Sequence, residues 1–329
     1  MDIFWYALIG LLFTGYLALE SIDFGVGLLF LLAREERDRE RLRRGVVPLF
    51  LANEVWLVAT VGLLFGALPL LEGELLHALR TPVVLLLSAW YLRDAALWFR
   101  TAHPGAGWRR TWDVVLPAAS LVLAAGWGAV LAALIRGLST DGHGHAVAAA
   151  GDVAHPLALL GAALVVAACL RQGTLFTARR LPHDSPLLGR LNRFSRPLTR
   201  CLLGLVLLAA VRAAGVTDAP VTVLLVGVLA AAGVYASERS AAAGRPGTAL
   251  LLGAAPLLAL PVTVGLANGT TVLATRSGEG ALVLSDAVAD PASLTLLSMT
   301  VLPALIAVAF GQVWMWRVFV RPQVRQRTP

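Results

Sequence analysis

The sequence predicts an all-α integral membrane protein with about nine transmembrane helices. Hydrophobic residues make up 58% of the chain, charged residues make up 14%, and the mean hydropathy is +0.76. A soluble domain would carry about 25% charged residues. The apolar residues form long runs, and arginines gather in alternate loops between the runs. Orientation in a membrane therefore explains the formal charge of +7 better than nucleic-acid binding does.

Nine apolar runs are long enough to span a bilayer, which requires about 20 mostly apolar residues. They are residues 4–32, 46–71, 78–99, 113–135, 154–177, 200–216, 220–237, 248–268 and 294–320. Thr217, Asp218 and Pro220 predict a tight turn between the sixth and seventh spans. The first run is too long for the apolar part of a signal peptide, so we expect it to be the first span.

The arginine pattern predicts the orientation of the chain. Arginines are dense in the odd-numbered loops and in the tail, where Arg321, Arg325 and Arg327 lie. The third loop carries Arg100, Arg109 and Arg110. The even-numbered loops contain few arginines. Because positively charged loops remain in the cytoplasm, we expect the N-terminus outside, the C-terminus in the cytoplasm and an odd number of spans.

Ionisable residues within the first three spans are the candidate functional residues. A charge at the centre of a membrane helix costs about 2.5–3.5 kcal/mol, so such residues usually have a role. The first span contains Glu20 and Asp23, which share one helix face because they are three residues apart. The candidates in the next two spans are Asn53, Glu54, Arg93 and Asp94. We expect Arg93 to be the counter-ion of one or more of the acids.

Three interpretations of these residues remain open at the level of sequence. They could form a path for protons or cations. They could be a buried ion cluster that fixes how the first three helices dock. Asp23 and Arg93 could instead lie near helix ends and be hydrated.

Two loops contain polar residues whose spacing makes them candidates for binding. Residues 184–196 place Arg190, Arg193 and Arg196 at helical spacing with apolar residues between them. They predict either a short interfacial helix that contacts anionic lipid or an ordinary positively charged loop. The Gly-rich stretch with Asp141, His143 and His145 is a weak candidate for a metal site, because it offers few ligands.

The chain lacks the residues that a self-sufficient redox enzyme would need. Haem in a helical bundle needs axial His or Met within the membrane. The histidines fall in loops or at span ends, at positions 77, 103, 143, 145, 155 and 183. Cys169 and Cys201 form no Cys-x-x-Cys motif. We therefore expect no cofactor and no metal to be bound by this chain alone.

Several motifs, taken in order, resemble subunit II of cytochrome bd-type quinol oxidases. They are 20–27 (ESIDFGVG), 50–57 (FLANEVWL), Arg93, 108–113 (WRRTWD), 172–174 (QGT), 295–300 (TLLSMT) and 312–314 (QVW). The matches extend along the whole chain. No single motif is decisive, but their order and spacing together are specific.

The resemblance implies a fold of two four-helix bundles and one peripheral helix in a single polytopic domain, 1–329. The expected limits are about 1–136 and 152–268 for the bundles and 294–320 for the last helix. It implies a bacterial plasma-membrane protein that supports a haem-bearing subunit I. That partner would hold haem b and haem d and oxidise quinol while dioxygen is reduced to water. The resemblance adds membrane lipid and quinone as partners and gives no role to nucleic acid.

This sequence departs from the family pattern at several positions. Leu51 replaces an acid of the second span, Ser21 and Ile22 replace Gly-Phe between the first two acids, and Trp98 replaces an acid of the third span. Glu54 or Asp94 could substitute for the missing acid, or the chain could be a structural paralogue without a proton route. A proton-coupled transporter is the alternative of a different class.

Overall fold

Helices and two small hairpins make up the computed structural model, which describes residues 2–141, 143–182 and 184–319. The helices are α1 (Asp2–Leu29), α2 (Glu36–Val46), α3 (Phe50–Ala67), α4 (Pro69–Ala78), α5 (Arg80–Phe99), α6 (Ala106–Arg136), α7 (Ala150–Val153), α8 (Pro156–Ala178), α9 (Pro186–Ala214), α10 (Pro220–Ala242), α11 (Pro246–Gly253), α12 (Ala255–Ala267), α13 (Leu284–Ala287) and α14 (Pro291–Phe319). The antiparallel hairpins pair β1 (Ser139–Thr140) with β2 (Ala146–Val147) and β3 (Thr271–Leu273) with β4 (Leu282–Val283).

The predicted number of spans is confirmed for the described residues. Nine helical segments are long and apolar enough to cross a membrane: α1, α3, α5, α6, α8, α9, α10, α11 with α12, and α14. The predicted turn after the sixth span is also confirmed, because α9 ends at Ala214 and α10 begins at Pro220. His183 and the tail arginines Arg321, Arg325 and Arg327 lie outside the described residues. The orientation in the membrane stays a prediction.

Two helices begin earlier than the hydropathy pattern predicts. Helix α6 begins at Ala106 instead of residue 113, so Arg109 and Arg110 lie on the helix and not in a loop. Helix α9 begins at Pro186, which makes the separate interfacial helix over 184–196 wrong. Polar residues extend both helices beyond the apolar layer, because a helix needs no apolar residues once its backbone is in water.

Two predicted runs are interrupted. The run 46–71 ends as a helix at Ala67, and Pro69 begins the short helix α4. The run 248–268 is divided at Ala254, two residues before Pro256. In both cases proline lacks a backbone N–H, so it is favoured in the first turn of a new helix.

Helices α1 and α8 cross at the centre of the molecule through glycine. A Cβ added at Gly25 would collide with the backbone carbonyl of Cys169, and one added at Gly173 would collide with the backbone of Gly25. Helices α6 and α8 meet in the same way at Gly128 and Gly161. Such close approach lets backbones pack where lipid supplies no hydrophobic driving force.

The remaining helices pack around this crossing. Helices α3 and α6 pack against α1, and α5 packs against α6. Helices α9, α11 and α12 pack against α8, and α10 packs against α9, α11 and α12. Helix α14 contacts mainly α3 and exposes most of its side chains. Because α1 and α6 also pack against α8, the bundle limits at residues 136 and 152 stay a prediction.

Candidate functional site

The six candidate residues come together at one end of the molecule. Glu20 and Asp23 lie in the last third of α1, Asn53 and Glu54 lie in the first turns of α3, and Arg93 and Asp94 lie toward the end of α5. Since α3 runs back from the end at which α1 and α5 finish, these positions are at a similar depth. We call these six residues the carboxylate cluster.

Arg93 is the centre of the carboxylate cluster and is fully buried. Its two terminal nitrogens donate to Glu20 Oε2 and Glu54 Oε1. Arg93 Nε and Nη2 also donate to Asp94 Oδ1, at 3.1 and 2.9 Å. The rings of Phe24 and Phe50 lie 5.4 and 5.8 Å from its guanidinium carbon. A guanidinium can hold three carboxylates at once because its five donors point in fixed directions.

A second set of hydrogen bonds extends the cluster to the last helix. Asn53 Nδ2 donates to Asp23 Oδ2 at 2.7 Å, and both side chains are buried. The side-chain amide of Gln312 lies 2.8 Å from Asn53 Oδ1. Gln312 is therefore a member that the candidate set omitted. In the sequence, Gln312 stands out only as an amide within an otherwise apolar span. Its partner Asn53 lies 259 positions earlier in the chain.

Burial increases from Asp94 inward. The side chain of Asp94 is 23% exposed, that of Glu54 is 7% exposed and that of Glu20 is 1% exposed. Glu20 Oε1 and Asp23 Oδ1 have no hydrogen-bond partner among the described residues. Each of these oxygens can accept a hydrogen bond from water or take up a proton.

The composition of the cluster suits proton storage. Three carboxylates, those of Glu20, Glu54 and Asp94, share the guanidinium of Arg93, and a fourth, Asp23, accepts a hydrogen bond from Asn53. If all four were ionised, the cluster would hold more negative than positive charge inside the protein. Uncompensated buried charge is costly, and uptake of protons removes it. The arrangement can therefore hold and exchange protons.

The residues that depart from the family pattern lie at the edge of the cluster. Leu51 is 55% exposed and Trp98 is 54% exposed, so both side chains point away from Arg93. Ser21 is buried, and its hydroxyl donates to the carbonyl of Ala18 at 2.7 Å. An acid at position 51 would thus lie on the outer surface of α3, next to the cluster rather than inside it.

A separate polar contact lies in the other half of the chain. Arg171 on α8 is buried and donates to Glu238 Oε2 and Thr199 Oγ1, both at 2.8 Å. The neighbouring Gln172 donates to the carbonyl of Leu250 at 3.0 Å. Glu238 was assigned to a loop by hydropathy, although α10 continues through it to Ala242. These residues form no hydrogen bond or ion pair with the carboxylate cluster.

A network of ion pairs holds α2 against the cluster's end of the molecule. Arg100 is buried and donates to Glu36 at 2.8 and 3.0 Å and to Asp113 at 2.6 Å. Hydrogen bonds from Arg100 lower the pKa of the Glu36 carboxyl. Hydrogen bonds from Arg43 and Arg44 lower the pKa of Glu40 to about 2. Glu36 and Glu40 therefore stay ionised at neutral pH and keep α2 docked.

The stretch with Asp141, His143 and His145, which was a weak candidate for a metal site, forms a hydrogen-bonded turn. The carboxylate of Asp141 accepts hydrogen bonds from the backbone N–H groups of His143 and His145, at 2.8 and 2.9 Å. It thus closes a turn. Among residues 2–141, 143–182 and 184–319 no group of three or more His, Cys, Asp or Glu side chains is arranged to bind a metal.

Comparison with known proteins gives one consistent result. The sequence model of the family described as cytochrome bd terminal oxidase subunit II matches residues 1–319. The chain is similar to cytochrome bd ubiquinol oxidase subunit 2 of Bacillus subtilis, with 27% identity over 99% of this chain and 97% of the relative. It is 28% identical to cytochrome bd-I ubiquinol oxidase subunit 2 of Escherichia coli K12, over 33% of this chain and 29% of that protein.

A solved structure supports the fold. A chain of the bd oxidase from Geobacillus thermodenitrificans superposes with a TM-score of 0.75. The match covers 97% of this chain and 98% of that chain, at 17% sequence identity. The predicted class, an all-α membrane protein with nine spans, agrees with this fold.

Proposed function

The chain belongs to the cytochrome bd terminal oxidase subunit II family, and we propose that its carboxylate cluster carries protons for the oxidase complex. Membership makes it a subunit of a quinol oxidase, an oxidoreductase in the bacterial plasma membrane. The complex oxidises quinol and reduces dioxygen to water. That reduction consumes protons, and a buried group of exchangeable carboxylates is suited to supply them.

One observation carries the proposal: three carboxylates that differ in how deeply they are buried all contact the guanidinium of Arg93. In this proposal Asp94 receives protons from outside the carboxylate cluster, because it is the most exposed member. Arg93 keeps the acids in place and lowers the cost of their charge. Glu54 and Glu20 relay protons inward, and Asp23, Asn53 and Gln312 fix the position of α1 relative to α3 and α14.

The partner of this chain would be the haem-bearing subunit I, in contact with membrane lipid and quinone. Haem supplies one-electron chemistry and binding of dioxygen when it is present. The described residues of this chain do not suit haem, because their histidines lie in loops or at helix ends and Met299 is 71% exposed. We therefore assign haem b and haem d to the partner.

We propose that the partner covers the face formed by α3 and α5. Asp94 is partly exposed there at membrane depth, between apolar neighbours such as Tyr91 and Trp98, which are 72% and 54% exposed. A carboxylate at this depth is unfavourable against hydrocarbon. A protein face that offers a hydrogen-bond donor or water would satisfy it.

Glutamine at position 54 tests the proton role. Glu54→Gln keeps the shape of the side chain and removes one ionisable group, so we expect assembly to be retained. Quinol-driven oxygen consumption should fall by about a hundredfold or more, since a proton-transfer group typically contributes about 10²–10⁴-fold. The measurement is turnover of the purified complex per haem. The control is Asp141→Asn, whose turn lies on a surface loop, and we expect its turnover to stay near that of the wild type.

Equal turnover of both variants would contradict the proton role and favour a structural paralogue. A transporter would instead retain substrate uptake in membranes without oxidase partners.

Purification tests the partner assignment. We expect a tagged chain, extracted from its native membrane in mild detergent, to bring down a haem-bearing subunit with b- and d-type bands in the reduced-minus-oxidised spectrum. The same chain purified colourless from cells that express the partner would contradict the assignment. That result would leave the chain with the transporter or scaffold interpretation.

A further inference from the structure

The first turns of α9 carry a stripe of exposed arginines. Arg193, Arg196 and Arg200 are exposed and share one face of the helix, because they are spaced three and four residues apart. The opposite face is buried by leucines at positions 187, 191 and 198. Phe194 lies between the two faces and is 38% exposed. The segment is therefore amphipathic and firmly attached to the protein.

The arginine stripe lies where lipid headgroups would be. The apolar part of α9 follows directly after Arg200. From Arg193 to Arg200 the helix rises about 10 Å, which is enough to extend through the headgroup region, about 5–8 Å deep, at one side of a bilayer. Thr199 Oγ1 donates to Glu238 Oε2 at 3.0 Å, so the exposed Arg239 of α10 lies at the same level as Arg200.

These arginines have no carboxylate partner among the described residues. Glu238, the acid at their level, is already bound by Arg171 and Thr199. In the α2 region Arg39, Arg43, Arg44 and Arg100 form ion pairs with acids of the chain, whereas the exposed Arg34, Arg37 and Arg110 form none with a described residue. A cluster of unpaired arginines at headgroup depth has a positive potential that an anion would neutralise.

We propose that Arg193, Arg196, Arg200 and Arg239 form a binding site for anionic phospholipid. The guanidinium groups bind the headgroup phosphates, since Arg presents paired donors to phosphate oxygens. The Phe194 ring lies at the boundary between headgroups and acyl chains, where aromatic residues are favoured. The site is separate from the carboxylate cluster, because it lies on α9 and α10 and the cluster residues lie on α1, α3 and α5.

The test uses the intact complex from native membranes, stripped of bound lipid and titrated with phosphatidylglycerol or phosphatidylcholine under native mass spectrometry. We compare R193Q/R196Q/R200Q with R34Q/R37Q/R110Q, a control that removes the same charge from exposed positions on the other half. A charge near an anionic surface contributes about fivefold in affinity per arginine. We therefore expect the first variant to lose phosphatidylglycerol affinity at least tenfold and the control to lose less than threefold.

Phosphatidylcholine binding should be the same in all three proteins, and added salt should weaken phosphatidylglycerol binding only where the stripe is intact. Equal losses in both variants would overturn the proposal, because the effect would then be one of net charge. Unchanged phosphatidylglycerol binding by R193Q/R196Q/R200Q, with loss of a co-purifying acidic protein, would also overturn it and assign the stripe to a protein partner. Folding of each variant is checked by its haem content.

Discussion

Replacement of Arg93 by leucine should abolish assembly of the oxidase. The substitution removes the guanidinium that Glu20, Glu54 and Asp94 share and leaves the carboxylates with no cation between them. Removal of one partner from a buried ion pair costs about 3–5 kcal/mol, and here one side chain serves three acids. The measurement is the amount of chain that remains monodisperse in mild detergent, together with the haem that co-purifies with it.

The matched control for Arg93→Leu is Arg171→Leu. Arg171 is equally buried and also donates to a carboxylate, but the side chain of Glu238 is 31% exposed. Water can therefore hydrate that carboxylate after the arginine is removed, and we expect a smaller loss of assembly. Equal losses in the two variants would show that burial of an arginine, rather than the number of acids around it, decides the effect.

A combined variant separates folding from function. Arg93→Leu together with Glu20→Gln, Glu54→Gln and Asp94→Asn removes the uncompensated charges along with the cation. Replacement of a complete buried ion group by neutral residues is often tolerated. We expect this variant to recover assembly but to lack turnover, because no carboxylate of the shared group remains. Recovery of both would contradict the proton role while leaving the docking role intact.

The sequence predicts the carboxylate cluster well because the cost of burying charge limits the alternatives. Six polar residues in three apolar spans must meet each other, since lipid offers them no partner. The same argument did not place Gln312 in the cluster, because an uncharged amide within an apolar span costs less to leave unpaired than a charge does. Glu238 was missed for another reason: hydropathy ends a span where polar residues begin, although the helix itself continues.

The beginning of α9 also could not be predicted from hydropathy. Apolar length defines where a helix meets the membrane, but the helix ends where backbone hydrogen bonding stops. Pro186, which suits a first helical turn, was a better indicator of the beginning of α9 than hydropathy. Which helices pack against each other could not be predicted from the sequence either. Gly173, the residue that Gly25 meets at the crossing of α1 and α8, could be identified only from the structure.

The second large effect is expected at the crossing of α1 and α8. Gly25→Ala places a methyl group against the backbone carbonyl of Cys169 and within 2.8 Å of the Gly173 nitrogen. Neither contact can be relieved by rotation of a side chain, because both involve backbone, so the helices must separate. Overpacking of this kind costs about 1–3 kcal/mol, occasionally more. We expect a lower thermal unfolding midpoint of the purified complex.

The crossing also positions the carboxylate cluster, because Asp23 lies two residues before Gly25 and Glu20 lies five residues before it. A displaced α1 would lengthen the contacts from Glu20 to Arg93 and from Asp23 to Asn53. Turnover per haem should therefore fall in the fraction of Gly25→Ala that still assembles.

Gly10→Ala is the matched control in the same helix, since a methyl group there meets no atom within 4 Å. Alanine has a higher helix propensity than glycine, so this control should be neutral or slightly stabilising. If Gly25→Ala behaved like Gly10→Ala, close packing at the crossing would not determine the geometry of the cluster.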